Sequence, residues 1–215
     1  MRKALGAVVL GSLALLVNPA SASAHADLHS SNPINGAVVS SSPKAVVLVF
    51  SEPVELDSAQ LLNSTTQQLA STSKISGATL TITPNVKLAA GAHAAQWQVT
   101  SDDGHVVAGA VSFIVGKPAP VGKSISIATL PKVVATLNGS RAGLLSITIA
   151  AVSTSGEISW THPSLLGPIT WRATGNGKKV TSTGVLPFGG DWTMNATLIG
   201  KGGSVLITTG KVHIV

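Results

Sequence analysis

Hydrophobic and polar residues alternate along this chain in short runs broken by turn residues, the period-two pattern of β-strands. Val46 to Phe50 is a continuous apolar run of the length of a buried strand, and Thr79-Leu80-Thr81-Ile82-Thr83 alternates strictly before stopping at Pro84. Further on, Trp97 and Val99 share one strand face and Gln96, Gln98 and Thr100 the other. After the turn Asp102-Asp103-Gly104, another strand sets Val107, Gly109, Val111, Phe113 and Val115 on one side. The stretch Gly116-Lys117-Pro118-Ala119-Pro120 breaks the pattern as a linker does. Beyond it the same grammar restarts with Ile147 and Ile149, Ile158 and Trp160, Trp192 to Leu198, and Val205 and Ile207. No run carries a helical apolar stripe. The pattern therefore predicts an all-β chain of two consecutive β-sandwiches, at residues 25–117 and 125–215 with a linker at 118–124, each near the ~100 residues typical of that fold. The glycines of the second half fall at hairpin and bulge positions and form no phosphate-cradling motif.

The N-terminus follows a different rule. Arg2 and Lys3 precede an apolar run from Ala4 to Val17, then Asn18-Pro19 and Ala22-Ser23-Ala24. A basic start, an apolar run too short for the roughly 20 residues of a membrane span, and an Ala-x-Ala site predict a signal peptide over residues 1–24, cleaved after Ala24. Without Arg2 and Lys3 the formal charge falls from +6 to +4. The remaining lysines, among them Lys123, Lys132, Lys178, Lys179, Lys201 and Lys211, are scattered along the sequence with no aromatic interleaving, which gives no nucleic-acid footprint. No second apolar stretch approaches a membrane span, so the expected mature product is exported, to the periplasm or the outside of the cell.

Composition narrows the chemistry. Of 215 residues 44% are hydrophobic but only 3% aromatic, with no Tyr and no Cys. Without Cys there is no disulfide framework, no thiolate zinc or iron–sulfur site and no Cys nucleophile, which leaves imidazoles, carboxylates and main-chain groups for any metal. Of the six His, at 25, 29, 93, 105, 162 and 213, two have placements that suggest ligation. Cleavage after Ala24 makes His25 the first residue, and an N-terminal His offers its α-amine and ring Nδ1 as a chelate suited to Cu(II). The alternative is cleavage nearby, with His25 an ordinary exposed residue. In Asp103-Gly104-His105 a carboxylate and an imidazole stand two residues apart at a tight turn. That too has a bland alternative, a hairpin turn followed by a solvated His.

Several of these pieces occur together and in order. The stretch from His25 through Pro33 to Gly36, the segment Ser42-Pro43 to Phe50-Ser51-Glu52-Pro53, and the block Trp97-x-Val99, Asp103-Gly104-His105, Gly109-x-x-x-Phe113 resemble CopC-type copper-resistance proteins. The resemblance implies a Greek-key, Ig-like sandwich that binds one Cu(II) per chain outside the cytoplasm. It also implies the ligand set: the amine and imidazole of His25 with Asp103 and His105. Some members carry a Met-rich loop for Cu(I), but the only Met beyond the signal segment is Met194, at a core-facing position. Asp27 and His29 would share a strand face with His25, either as further ligands or as solvated surface residues. His93 is expected in a loop before the Trp97 strand, and Glu52 is expected to be a solvated strand-end carboxylate or an acceptor behind the ligands.

In the second half, Thr136 to Leu145 and Leu186 to Ala196 resemble YtkA-like or FixH-like β-sandwiches. His162 and His213 read as surface residues, and Trp160, Trp171 and Trp192 as core anchors. The expected function is non-enzymatic: Cu(II) sequestration, resistance or delivery, with a membrane copper importer or an envelope protein as partner. Its rivals are a copper monooxygenase-like enzyme, disfavoured by the missing Tyr and the close carboxylate, and an Ig-like envelope interaction module.

Overall fold

The strands follow from the alternation. In Val46–Phe50 every second side chain is buried and its neighbours are half-exposed, and in Gly143–Ile149 the same pattern repeats over seven residues. The computed structural model describes residues 26–215; the predicted signal segment and His25 lie outside the described residues. The first half holds β1 (Leu28–Asn32), β2 (Ala37–Val39), β3 (Val46–Phe50), β4 (Val54–Asn63), β5 (Gln68–Leu69), β6 (Ser71–Ser76), β7 (Thr79–Pro84), β8 (Gly91–Ser101) and β9 (Val106–Val115). The second holds β10 (Ile125–Leu130), β11 (Ala135–Leu137), β12 (Gly143–Ile149), β13 (Ser155–Thr161), β14 (Ile169–Gly175), β15 (Val180–Leu186), β16 (Gly190–Ile199) and β17 (Val205–Ile214). The only helical element among the described residues is one turn at Lys201–Gly203.

In the first half, the sheet β1-β3-β7-β6 faces the sheet β5-β4-β8-β9-β2. Between them lies a core of Leu48, Phe50, Leu61, Leu80, Ile82, Trp97, Val99, Val111 and Phe113. Phe50 meets Trp97 edge to face, ring centroids 6.0 Å apart. Gly109 lies under that indole, where an added Cβ would come within 2.5 Å of Trp97 Cζ2. His93, expected in a loop, stands inside β8, buried and stacked on Phe113 with Nε2 2.9 Å from the Ala89 carbonyl. The strand begins at Gly91, earlier than its Trp-centred pattern suggested, because the Ala-rich run also buries its other face.

The second half is a sandwich closed along both edges. Its strands pair antiparallel in the cycle β10-β11-β12-β15-β14-β13-β16-β17 and back to β10, with β14 and β15 joined only at Thr174–Thr181 and Gly175–Val180. Trp160, Trp171, Trp192, Phe188 and Met194 fill its core with Leu, Ile and Val, as the sequence expected of the Trp residues.

The two halves pack on each other. β9 runs parallel to the start of β14, with Ala110 in register with Ile169, and Leu62, Ala94 and Ala110 join the second core while Ala92 and Ile114 pack on Val185. Small side chains on the outer face of β8 and β9 allow this close approach: an added Cβ on Gly167 would lie 2.3 Å from the Ala108 carbonyl carbon. Buried polar groups are paired across the seam. Ser112 Oγ donates to the Val185 carbonyl (2.7 Å), Asn35 Nδ2 to the Thr170 carbonyl (2.8 Å), and Gln96 Oε1 accepts from the Leu166 amide (2.9 Å). Residues 118–124 are irregular but held down, since the Val121 carbonyl accepts from the amides of Ser140 and Arg141.

Candidate metal centre

The hairpin between β8 and β9 turns on Ser101-Asp102-Asp103-Gly104-His105. The Gly104 amide donates to the Ser101 carbonyl (2.8 Å) and the Ser101 amide to the His105 carbonyl (3.0 Å). Gly104, with φ +81°, supplies the left-handed residue that such a hairpin needs after its turn. This geometry folds the Asp103 and His105 side chains onto each other. His105 Nδ1 lies 2.8 Å from Asp103 Oδ2, and the His105 amide donates to Asp103 Oδ1 at 3.1 Å. The Ser101 hydroxyl donates to the same Oδ1. With Nδ1–H given to the carboxylate, a neutral His105 ring carries its lone pair on Nε2, the form a metal needs. The Ser101 hydroxyl first, and then His105, hold Asp103 well below the usual carboxylate range, so it is an anion across the working pH range. The side chains remain open to solvent, 26% exposed for Asp103 and 63% for His105.

The same end of the first sandwich holds the start of the described chain. Asp27 donates its amide to Ser51 Oγ (3.0 Å) and accepts the Ser51 amide (2.9 Å), while Val54, three residues on, is in register with Ser101. Ala26 and Asp27 therefore lie beside the β3–β4 turn, at the end where the Asp103 hairpin stands. Glu52 lies in that turn with its Oε1 enclosed and no hydrogen-bond partner. A buried carboxylate oxygen with no donor calls for a cation or an N–H nearby, and in that respect the donor set fits a metal. Asp27 and His29 do not continue one face as expected, because a β-bulge between Leu28 and Ser30 places His29 at the extra position, exposed. Among the described residues no group of three or more His, Cys, Asp or Glu side chains could hold a metal ion; Asp103 and His105 stand together as a pair.

The remaining histidines lie elsewhere. His162 packs against Phe188 and Trp192, ring centroids 4.8 Å away in both cases, and accepts the Ser164 amide on Nδ1 (3.1 Å). His213 Nδ1 pairs with Asp191 Oδ1 at 2.7 Å, on the exposed wall of a shallow pocket that His162 also lines. Trp97, Trp160 and Trp171 bury their indole nitrogens without partners, as core residues and not as a binding platform.

No curated protein matches this chain. The CopC domain model matches residues 28–116. Among solved structures, CopC from Methylosinus trichosporium OB3b is 31% identical, over 42% of this chain and 93% of that one, with a TM-score of 0.40. PcoC from Escherichia coli, described as a methionine-rich copper resistance protein, is 27% identical over 43% of this chain and 99% of its own, with a TM-score of 0.37. The matched segment contains the whole Asp103-Gly104-His105 hairpin and the turn that carries Glu52. Through residues 28–116 the chain belongs to the CopC domain family.

Proposed function

We propose that this protein binds one Cu(II) outside the cytoplasm, to sequester it or hand it on, and that it is not an enzyme. The observation that carries this reading is the hairpin in which Asp103 orients His105 through Nδ1 and leaves the Nε2 lone pair as donor. The α-amine and imidazole of a mature N-terminal His25 complete a nitrogen-rich set, Asp103 offsets part of the metal's charge, and the enclosed Glu52 oxygen accepts a ligand N–H. Because amine and imidazole must each lose a proton to bind, copper is released as the pH falls. Beyond the signal segment the chain has one Met, Met194, buried in the second core, which disfavours a thioether site.

Isothermal titration of Cu(II) into the exported protein, its first residue fixed by mass, tests the reading. Tight one-to-one binding is expected for the form that begins at His25, with a loss of at least about tenfold when one residue is added before it. Equal affinity in the two forms would remove the N-terminal chelate. A copper importer or an envelope protein is the proposed recipient.

A further inference from the structure

The two halves of the molecule differ in charge. Residues 26–117 carry four Lys against six Asp and Glu, whereas residues 118–215 carry eight Lys and Arg against two acids. The fold then concentrates part of this excess. Four loops meet at one end of the second sandwich: Leu130 to Val134, Ala150 to Thr154, Asn176 to Lys179, and Gly200 to Val205. They are tied together by main-chain bonds, from the Ala150 amide to the Val134 carbonyl, the Thr154 amide to Ile199, and the Gly177 amide to Ser153. The loops contain Lys132, Lys178, Lys179 and Lys201, all exposed, and no Asp, Glu, Arg or aromatic residue. They also present bare aliphatics: Leu130 is 75% exposed, Val134 69%, Val152 78% and Val205 60%. Of the two acids of this half, Glu157 lies two residues inside β13, past the second of these loops and in register with Arg172, and Asp191 lies at the opposite end against His213. The contacts with the CopC domain fall at that opposite end, at Leu144, Leu166 to Thr170, Gly184 and Val185.

We propose that this end is a docking tip for an anionic lipid bilayer. Charge complementarity selects the occupant: four lysines on loops that hold no carboxylate attract an anionic surface, each contributing over a Debye length. The aliphatic tips suit insertion among headgroups, and lysine stems lie along apolar surface while their ammonium groups stay in water. The lack of aromatic and Arg anchors disfavours a folded protein partner, whose hot spots draw on those residues. Docked in this way, the second sandwich holds the CopC domain on the side away from the membrane. The inference is independent of copper.

Flotation of the full exported chain with vesicles tests it, using phosphatidylcholine alone and phosphatidylcholine containing a third phosphatidylglycerol. Binding is expected only to the anionic vesicles and is expected to weaken from about 0.05 M to about 0.5 M salt. Lys178→Glu with Lys179→Glu should lower the partition coefficient at least about tenfold, and Val152→Asp should lower it with the charge on the lysines intact. Lys74→Glu with Lys87→Glu, the same charge change on the CopC domain, should leave it within about twofold. All variants are checked for wild-type thermal unfolding. No binding to anionic vesicles, equal binding to both kinds, or an equal loss in the CopC-domain control would overturn the tip, the first of these redirecting its lysines to an acidic protein.

Discussion

Asp103 accepts from the Ser101 hydroxyl, the His105 amide and the His105 ring, so one carboxylate fixes both the turn and the imidazole. Ser101 touches no proposed metal position but holds the carboxylate that does. Ser101→Ala is therefore expected to weaken Cu(II) binding about tenfold, with thermal stability close to wild type. Copper titration with a parallel melting curve checks this, and an unchanged affinity would leave the hydroxyl with no positioning role. The spacing Asp-Gly-His was legible in the sequence, but the Ser101 contact was not, because a serine two residues before the motif carries no pattern of its own. At the other end of the molecule, burial pushes His162 below its ordinary value, against the opposing pull of the Gly189 carbonyl and Asp191. The unfolded chain then binds more protons than the native one once the pH drops below about 6.5, so this residue takes stability away on acidification and is neutral to it at higher pH. His162→Gln should flatten the fall in melting temperature between pH 7 and pH 5; an equally steep fall would place the acid sensitivity elsewhere.

The elements that set the site are β8 and β9, whose inner face packs on Phe50 and whose outer face packs on the second sandwich. Gly109→Ala sets a methyl 2.5 Å from the Trp97 ring and is expected to cost about 1–3 kcal/mol, read by denaturant unfolding, since the ring is enclosed and has little room to retreat. Sequence periodicity placed Trp97, Val99, Val111 and Phe113 inward as observed. It gave no sign that Ala94, Gln96, Ala110 and Ser112 face another protein surface and not water, because small and polar residues suit solvent and a tight interdomain seam equally well. The signal that could have found them is the alanine content of the outer face, which is higher than a solvated strand needs. His93 is buried on the opposite, inner face, with Ala95 and Trp97, where it stacks on Phe113.

At the scale of the whole molecule, the seam makes one body of two sandwiches. A single cooperative melting transition is expected for the full chain, and Gly167→Val, which drives a side chain into the Ala108 backbone, should split it or broaden it. Calorimetry checks this, and a wild-type profile in the variant would mean that the halves unfold without reference to each other. The second sandwich closes on itself at the four-loop end, where β14 and β15 pair, and toward the other end the Thr170 and Val185 carbonyls of these strands are taken by Asn35 and Ser112 of the first half. The order of residues by itself determined the strand class, the carboxylate–imidazole pair and the lack of sulfur ligands, because alternation, turn chemistry and residue type are local properties. Tertiary structure alone decided which face of β8 and β9 meets the second sandwich, how Ser101 locks Asp103, and that lysines as far apart as Lys132 and Lys201 stand at one end, since these depend on long-range pairing that brings distant segments together.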